Sequence, residues 1–173
     1  LWKQKGDRKK TKFYRPVTLL NTSYRIWCIT INNRLKPVLE QISEKTQTGF
    51  KPLHSCQTAT EVVGNIIDRA NIPGLAIGLL DQSQAFDRMI REKTWEILTD
   101  LGLPKDFVSD IRRGRYHSEV CNAVGNTTGH FIPVDKGAFQ GSSLSPTLFI
   151  LYTLDLNKRF LQTCKDRGYK MIT

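Results

Sequence analysis

Residues 75–80, Leu-Ala-Ile-Gly-Leu-Leu, make a nearly unbroken apolar run that ends abruptly at Asp81, and a second carboxylate, Asp87, follows six residues later. Pro73-Gly74 places a turn just ahead of it. The run is therefore predicted to be a short strand buried on both faces, and a chain that contains one must build a sheet and cover it. A carboxylate at the end of such a strand sits where water and core meet, a place where a hard cation is held and chemistry done. Apolar runs ending in Asp are common. On its own this one favours the plainer reading, in which Asp81 ends a strand and Asp87 caps the next helix.

The flanking sequence is rich in helical signals. From Thr22 to Leu39, apolar residues recur at Tyr24, Trp27, Cys28, Ile31, Leu35 and Val38 with a helical period. Asn21 or Thr22 can cap that helix, and Pro37 is expected to kink or stop it. Residues 48–54, with Gly49 and Pro52, are expected to form a loop or short hairpin. Ser55 then opens a second helix with Ala59, Val62, Val63, Ile66, Ile67 and Ala70 on one face. A third follows Asp87 and stops at Gly102 and Pro104, and a short basic helix spans Lys105 to about Arg115. Ser118–Val124 and His130–Phe139 are predicted to pair as a hairpin around the turn 125–129. Ser145-Pro146 is a cap followed by proline, opening a helix from Thr147 to about Gln162. Phe13–Leu20, with Pro16 barring a helix interior, is expected to be extended. Helices and strands without strict alternation indicate an α+β fold.

A chain of 173 residues is one domain, or one domain and part of another. Hydrophobic and charged fractions of 39% and 24% belong to a globular chain rather than a disordered one. No apolar run approaches the roughly 20 residues of a membrane span. The basic residues 1–12 lack the apolar centre of a secretory signal. Cys28, Cys56, Cys121 and Cys164 are scattered and form no CxxC pair, which points to unpaired thiols in a reduced, intracellular setting, cytoplasm or nucleus.

The net charge of +10 favours a polyanionic partner held through phosphate contacts, with a solvated basic surface as the alternative. The charge gathers in a loose arm at residues 1–12, at Arg112, Arg113, Arg115 and His117, and from Lys158 to Lys170. The chain begins with Leu rather than Met and stops just after a basic, turn-like segment, so both ends look cut, as in a piece of something longer.

A second motif, Gly137-Ala138-Phe139-Gln140-Gly141-Ser142-Ser143-Leu144-Ser145-Pro146, pairs with the acidic one. Its glycines let backbone approach a ligand closely, and Gln140 offers both a donor and an acceptor. A strand-to-helix turn explains it equally well in isolation. Together, Leu80-Asp81 through Ala85-Phe86-Asp87 and Gln140 to Pro146 resemble a reverse transcriptase of the non-LTR retrotransposon type. Tyr14-Arg15-Pro16-Val17-Thr18-Leu19-Leu20-Asn21 is similar to that family's fingers segment, as are residues 33–39 and Gln47-Thr48-Gly49-Phe50-Lys51. The pieces occur in the family's order from about residue 13 to 160, and it is their joint presence that is specific.

The resemblance implies the fingers and part of the palm of a right-hand polymerase over residues 13–173. By that resemblance Asp81 is the palm's first metal-binding carboxylate, helping to hold two Mg²⁺ ions, with the backbone carbonyl of Gln82 as a second ligand. Phe86 is the steric gate beneath the incoming sugar. Gln140 and Gly141 line the template and nucleotide pocket, and Arg15 and Lys51 lie near template or triphosphate. The implied partners are an RNA template, a DNA primer and deoxynucleoside triphosphates, and the implied activity is that of an RNA-directed DNA polymerase of a mobile element. Asp87 belongs to the family pattern, yet capping a helix at Arg88 is sufficient reason for it.

Some positions depart from the family. Lys51 and His54 stand where relatives often carry arginine, which weakens the expected grip on triphosphate. The family's aromatic-x-Asp-Asp hairpin does not occur in the chain, so a single palm carboxylate is expected to leave it inactive alone. The histidines have no metal-ligand spacing, and no Ser/His/Asp arrangement is legible. Trp27 and Trp95 are expected in the core, while Trp2 in the basic arm could stack on a base. Two further readings stand beside the enzyme: a basic RNA-binding module without catalysis, and a decayed retroelement remnant.

Overall fold

A computed structural model of the chain describes residues 3–4, 6–15, 17–43, 47–70, 77–115 and 118–169. The first long helix, α1, spans Thr22–Ile42. Asn21 caps it, its side-chain oxygen accepting from the Tyr24 N–H at 2.7 Å. Pro37 neither stops α1 nor displaces its ends. It and Asn33, whose carbonyl loses a partner to the proline, both lie on the exposed side, where water replaces the missing bond. Leu35 and Leu39 anchor the buried side on either side of it.

Helix α2, Cys56–Ala70, opens as expected at Ser55, whose hydroxyl accepts from the Thr58 N–H. Its apolar side is open: Val62, Val63 and Ile67 are exposed. Helices α3 (Arg91–Asp100) and α4 (Lys105–Arg115) are joined through Gly102, which takes a φ of +80° to turn the chain. Helix α5, Ser145–Asp166, packs against both α1 and α3, and α3 packs against α4. The core lies among these four. Cys28, Ile31 and Leu35 of α1 meet Leu148, Leu151 and Leu154 of α5, with Leu98 of α3 and Ile111 of α4 closing it. A polar contact crosses this core, from Thr147 Oγ1 to Asn32 Oδ1 at 2.6 Å. Ser145, the expected cap of α5, is instead its first helical residue, and its buried hydroxyl has no partner among the described residues.

The predicted hairpin forms in two short tiers. Strand β1 (Glu119–Val120) pairs antiparallel with β4 (Ile132–Pro133), and β2 (Ala123–Val124) pairs with β3 (Thr127–Thr128) around Gly125-Asn126. The second strand is far shorter than His130–Phe139 because pairing ends with the Val134 N–H on the Ser118 carbonyl, after which Gly137 and Ala138 bond to Met89 and Phe86.

The buried strand expected at 75–80 is not observed. Pro73 to Ala76 lie outside the described residues, as do Trp2, Pro16 and His117. Ile77 to Leu80 carry no regular structure, and Leu79 and Leu80 are 93% and 86% exposed. A run hydrophobic on both faces needs a hydrogen-bonded neighbour on each side, and among the described residues the only ladders are the two of the hairpin. The arm differs too. Lys3 N–H donates to the Phe13 carbonyl, Tyr14 Oη donates to the Arg8 carbonyl, and Gly6 lies directly against the Phe13 ring. The described residues between Lys3 and Tyr14 thus fold back on themselves rather than hanging loose.

Candidate nucleotide and template site

Four separate segments converge where the second motif enters α5. Around Ala85 the chain turns through residues 83–88, with Gln84 at φ +54° and the Arg88 N–H donating back to the Gln84 carbonyl. Two backbone bonds then tie this turn to the motif. Ala138 N–H donates to the Phe86 carbonyl at 2.8 Å, and Gly137 N–H to the Met89 carbonyl at 2.7 Å. At Gly137 a Cβ would sit 2.9 Å from the Asp87 carbonyl oxygen, and φ there is +83°, so a side chain is excluded twice over.

Gln140 continues the contact. Its Nε2 donates to Asp87 Oδ1 at 2.9 Å, and its carbonyl accepts from the Thr18 N–H at 2.8 Å. Gly141, at φ +120°, lies so close that a Cβ would come 2.8 Å from the Thr18 carbonyl oxygen. Both glycines serve close approach, as the sequence implied, but what they approach is the chain itself. Ser142 Oγ donates to Cys28 Sγ at 3.3 Å and accepts from the Leu144 N–H, fastening the loop to α1.

Phe86 is half-buried between two rings. Phe149 of α5 lies 4.8 Å away between centroids, and Phe50 meets it edge-on at 6.1 Å. Phe50 itself has φ +59° and nearby Leu53 has +62°, conformations that cost bulky residues about 1–3 kcal/mol each. The same left-handed conformation recurs at Gln84, in the turn that carries Phe86.

Asp87 does not cap a helix. Residues 88–90 are not helical, α3 begins at Arg91, and its N-cap position, Ile90, has no side-chain cap bond. The Asp87 carboxylate instead receives Gln140, which sequence reasoning missed. Asp81 and Gln82 are exposed. Arg15 is exposed and Lys51 half-buried. Among the described residues no three His, Cys, Asp or Glu side chains gather as a metal-binding group. Asp81 with the Gln82 carbonyl supplies too few oxygens for two ions.

The basic cluster of α4 is not a uniform patch. Arg113 is exposed, Arg112 pairs with Glu92 at 3.2 Å, and Arg115 is fully buried. Arg91 is buried as well. Both arginines are legible in the sequence, for Arg115 falls seven residues after Val108 and four after Ile111, and Arg91 shares a face with Trp95 and Leu98. A charge on an apolar stripe is the signal that marks them.

The chain belongs to the reverse transcriptase (RNA-dependent DNA polymerase) family, which it matches over residues 4–172. It is similar to the 149 kDa protein of transposon TX1 from Xenopus laevis, with 28% identity over 150 residues, 86% of this chain. It is also similar to the retrovirus-related Pol polyprotein of the type-2 retrotransposable element R2DM from Drosophila melanogaster, with 27% identity over 147 residues, 83% of this chain. The matched regions are 12% and 14% of those two proteins, so the chain corresponds to a small part of either. The resemblance to reverse transcriptases of the non-LTR retrotransposon type is thereby borne out, on a mixed framework of helices and a small sheet. No helix among the described residues is long and apolar enough to cross a membrane.

Proposed function

We propose that this chain is the fingers and first palm portion of an RNA-directed DNA polymerase of a mobile element, which in its parent polypeptide copies RNA into DNA by metal-dependent nucleotidyl transfer inside the cell. The observation that carries this reading is the convergence of four of the five family-like segments. Thr18 of the first, Phe50 of the third, Phe86-Asp87 of the acidic motif and Gln140-Gly141 of the last meet within hydrogen bonds and ring contacts.

In this reading each residue has a distinct task. Asp81, exposed at the end of the apolar run, is the carboxylate offered to Mg²⁺, with the Gln82 carbonyl beside it. Mg²⁺ there would lower the pKa of the primer hydroxyl and neutralise charge on the leaving diphosphate. Phe86 is the gate against a ribose 2′-hydroxyl, and its rigidity comes from Phe149 and Phe50. Gln140 is positioned by Asp87 to present its remaining polar groups to template or nucleotide. Arg15 and Lys51 supply positive charge for template or triphosphate, with RNA, primer and deoxynucleoside triphosphates as the bound species.

The test is primer extension on an RNA template by the parent polypeptide. Asp81→Ala should reduce extension by at least about a hundredfold, and Phe86→Ala should raise ribonucleotide use relative to deoxyribonucleotide. Unchanged extension in the Asp81 variant would overturn the assignment.

A further inference from the structure

Around the ring of Phe139, beside the segment that carries Gly137 and Gln140, lies a feature that nucleotidyl transfer does not use. Arg91 and Arg115 each place a guanidinium carbon 5.5 Å from the centre of the Phe139 ring. Arg91 is held by its Nε to the Gly137 carbonyl and by Nη1 to the carbonyls of Arg115 and Val134. Its Nη2 is buried without a partner among the described residues, and so are Nε, Nη1 and Nη2 of Arg115. A cavity of about 390 Å³ between α3, α4 and residues 133–135 is lined by both arginines together with Arg112, Ser118, Glu92 and Asp135.

Two guanidinium groups in one buried neighbourhood repel each other, and neither has a carboxylate hydrogen-bonded to it among the described residues. Burial and mutual repulsion hold the Arg91 guanidinium below its usual range, and burial does the same to Arg115. Arginine nonetheless stays protonated at neutral pH. Of the acids at the cavity, Glu92 is engaged by Arg112, and Asp135 acts on Arg91 only through space. Beyond the face of the Phe139 ring, such an arrangement leaves charge and donors uncompensated, which folded chains avoid.

We propose that Arg91 and Arg115 form a binding site for a phosphate-class oxyanion that enters through this cavity. Unpaired guanidinium donors suit phosphate oxygens, and such bonds are strongest where water is excluded. Arg91 also holds the Gly137 and Val134 carbonyls, so a bound anion stiffens the segment that leads to Gln140. The phosphate is either a free ion or a phosphodiester of a bound strand, and the two sources separate by experiment.

Thermal unfolding of the whole chain is followed with inorganic phosphate, with pyrophosphate and with a short single-stranded RNA, each against chloride at equal ionic strength. A saturable rise in Tm of about 5–10 °C is expected at about a hundred times Kd. A rise with inorganic phosphate or pyrophosphate identifies a free-ion site, and a rise with RNA alone identifies a strand phosphate. Arg115→Met, which keeps the packing on Phe139, should abolish the response in either case. Arg112→Gln, an exposed change at the mouth that leaves folding intact, should weaken it several-fold. No saturable rise with any of the three, or an equal rise in both variants, would overturn the proposal.

Discussion

The bond between Asp87 and Gln140 is the contact on which the geometry of the candidate site turns, and a double-mutant cycle measures it. It joins a half-buried carboxylate to an amide 53 residues away in sequence, at 2.9 Å. A hydrogen bond to a charged group contributes about 1.5–3 kcal/mol, and the partial exposure here places the expected coupling near about 1–2 kcal/mol. Asp87→Ala and Gln140→Ala should each cost about 1–2.5 kcal/mol, because each leaves the other's polar atom short of a partner. The double variant should cost clearly less than their sum. Asp87→Asn separates geometry from charge. It keeps the accepting oxygen and should cost less than about 1 kcal/mol. The backbone contact between Asp87 and Gly137 is unaffected by any of these changes, so the cycle isolates the side chains. Urea unfolding read by tryptophan fluorescence suits the measurement, since Trp95 is in the core and Trp27 packs against it. A coupling below about 0.5 kcal/mol, the ordinary scatter of independent sites, would refute the reasoning.

Gly141→Ala puts a Cβ 2.8 Å from the Thr18 carbonyl oxygen at φ +120°, and should lower stability by about 2–4 kcal/mol in the same assay. Gly64→Ala meets open space in α2 and should raise it by about 0.5–1 kcal/mol. Gln84→Gly relieves a left-handed conformation at an exposed position and should stabilise by about 1 kcal/mol, read as a higher urea midpoint. Burial pushes the Tyr24 phenol up to about 12 from 10.0. The folded chain therefore keeps a proton that the unfolded chain releases, so stability is intact below pH 10 and falls as pH rises through 12. Allowing for solvent around the ring, the loss attributable to this group is roughly 1–2 kcal/mol, and Tyr24→Phe should remove it from a pH series.

The helices are legible because their signals are local. Asn21, Ser55 and Gly102 act within a turn of where they stand, and the apolar period of α1 names the face that meets α5. Pro37 misleads because its cost depends on whether the orphaned carbonyl faces water, which is a tertiary fact. The run at 75–80 misleads for a related reason. Hydrophobicity tells what a segment must bury, while a strand exists only where another segment pairs with it. The site is legible as a set of segments and not as contacts. Gly137 and Gly141 announce close approach, yet which backbones they approach, those of Asp87 and Thr18, emerges only when the chain is folded.

The same distinction changes the meaning of the net charge. Counted along the chain, +10 describes an attraction to polyanions that every Lys and Arg shares. Arg91 and Arg115 take no part in such a surface. They occupy core-facing positions on α3 and α4, where an aliphatic residue would complete the stripe with no desolvation cost. Arg91 answers part of the question by binding three backbone carbonyls and thereby shaping the approach to Gln140. Arg115 makes no such bonds through its guanidinium among the described residues, so backbone bracing does not account for it. A fully buried cation whose guanidinium nitrogens have no partner among the described residues, and which meets only the face of Phe139, is costly unless something negative reaches it. If phosphate proves unable to reach it, Arg115→Met should be as stable as the parent chain or more so, since the substitution would then remove only a penalty. If phosphate does reach it, the variant gains in the absence of the anion and loses that advantage as the anion is added. The sign of the stability difference, followed against phosphate concentration, decides between a tolerated charge and a used one.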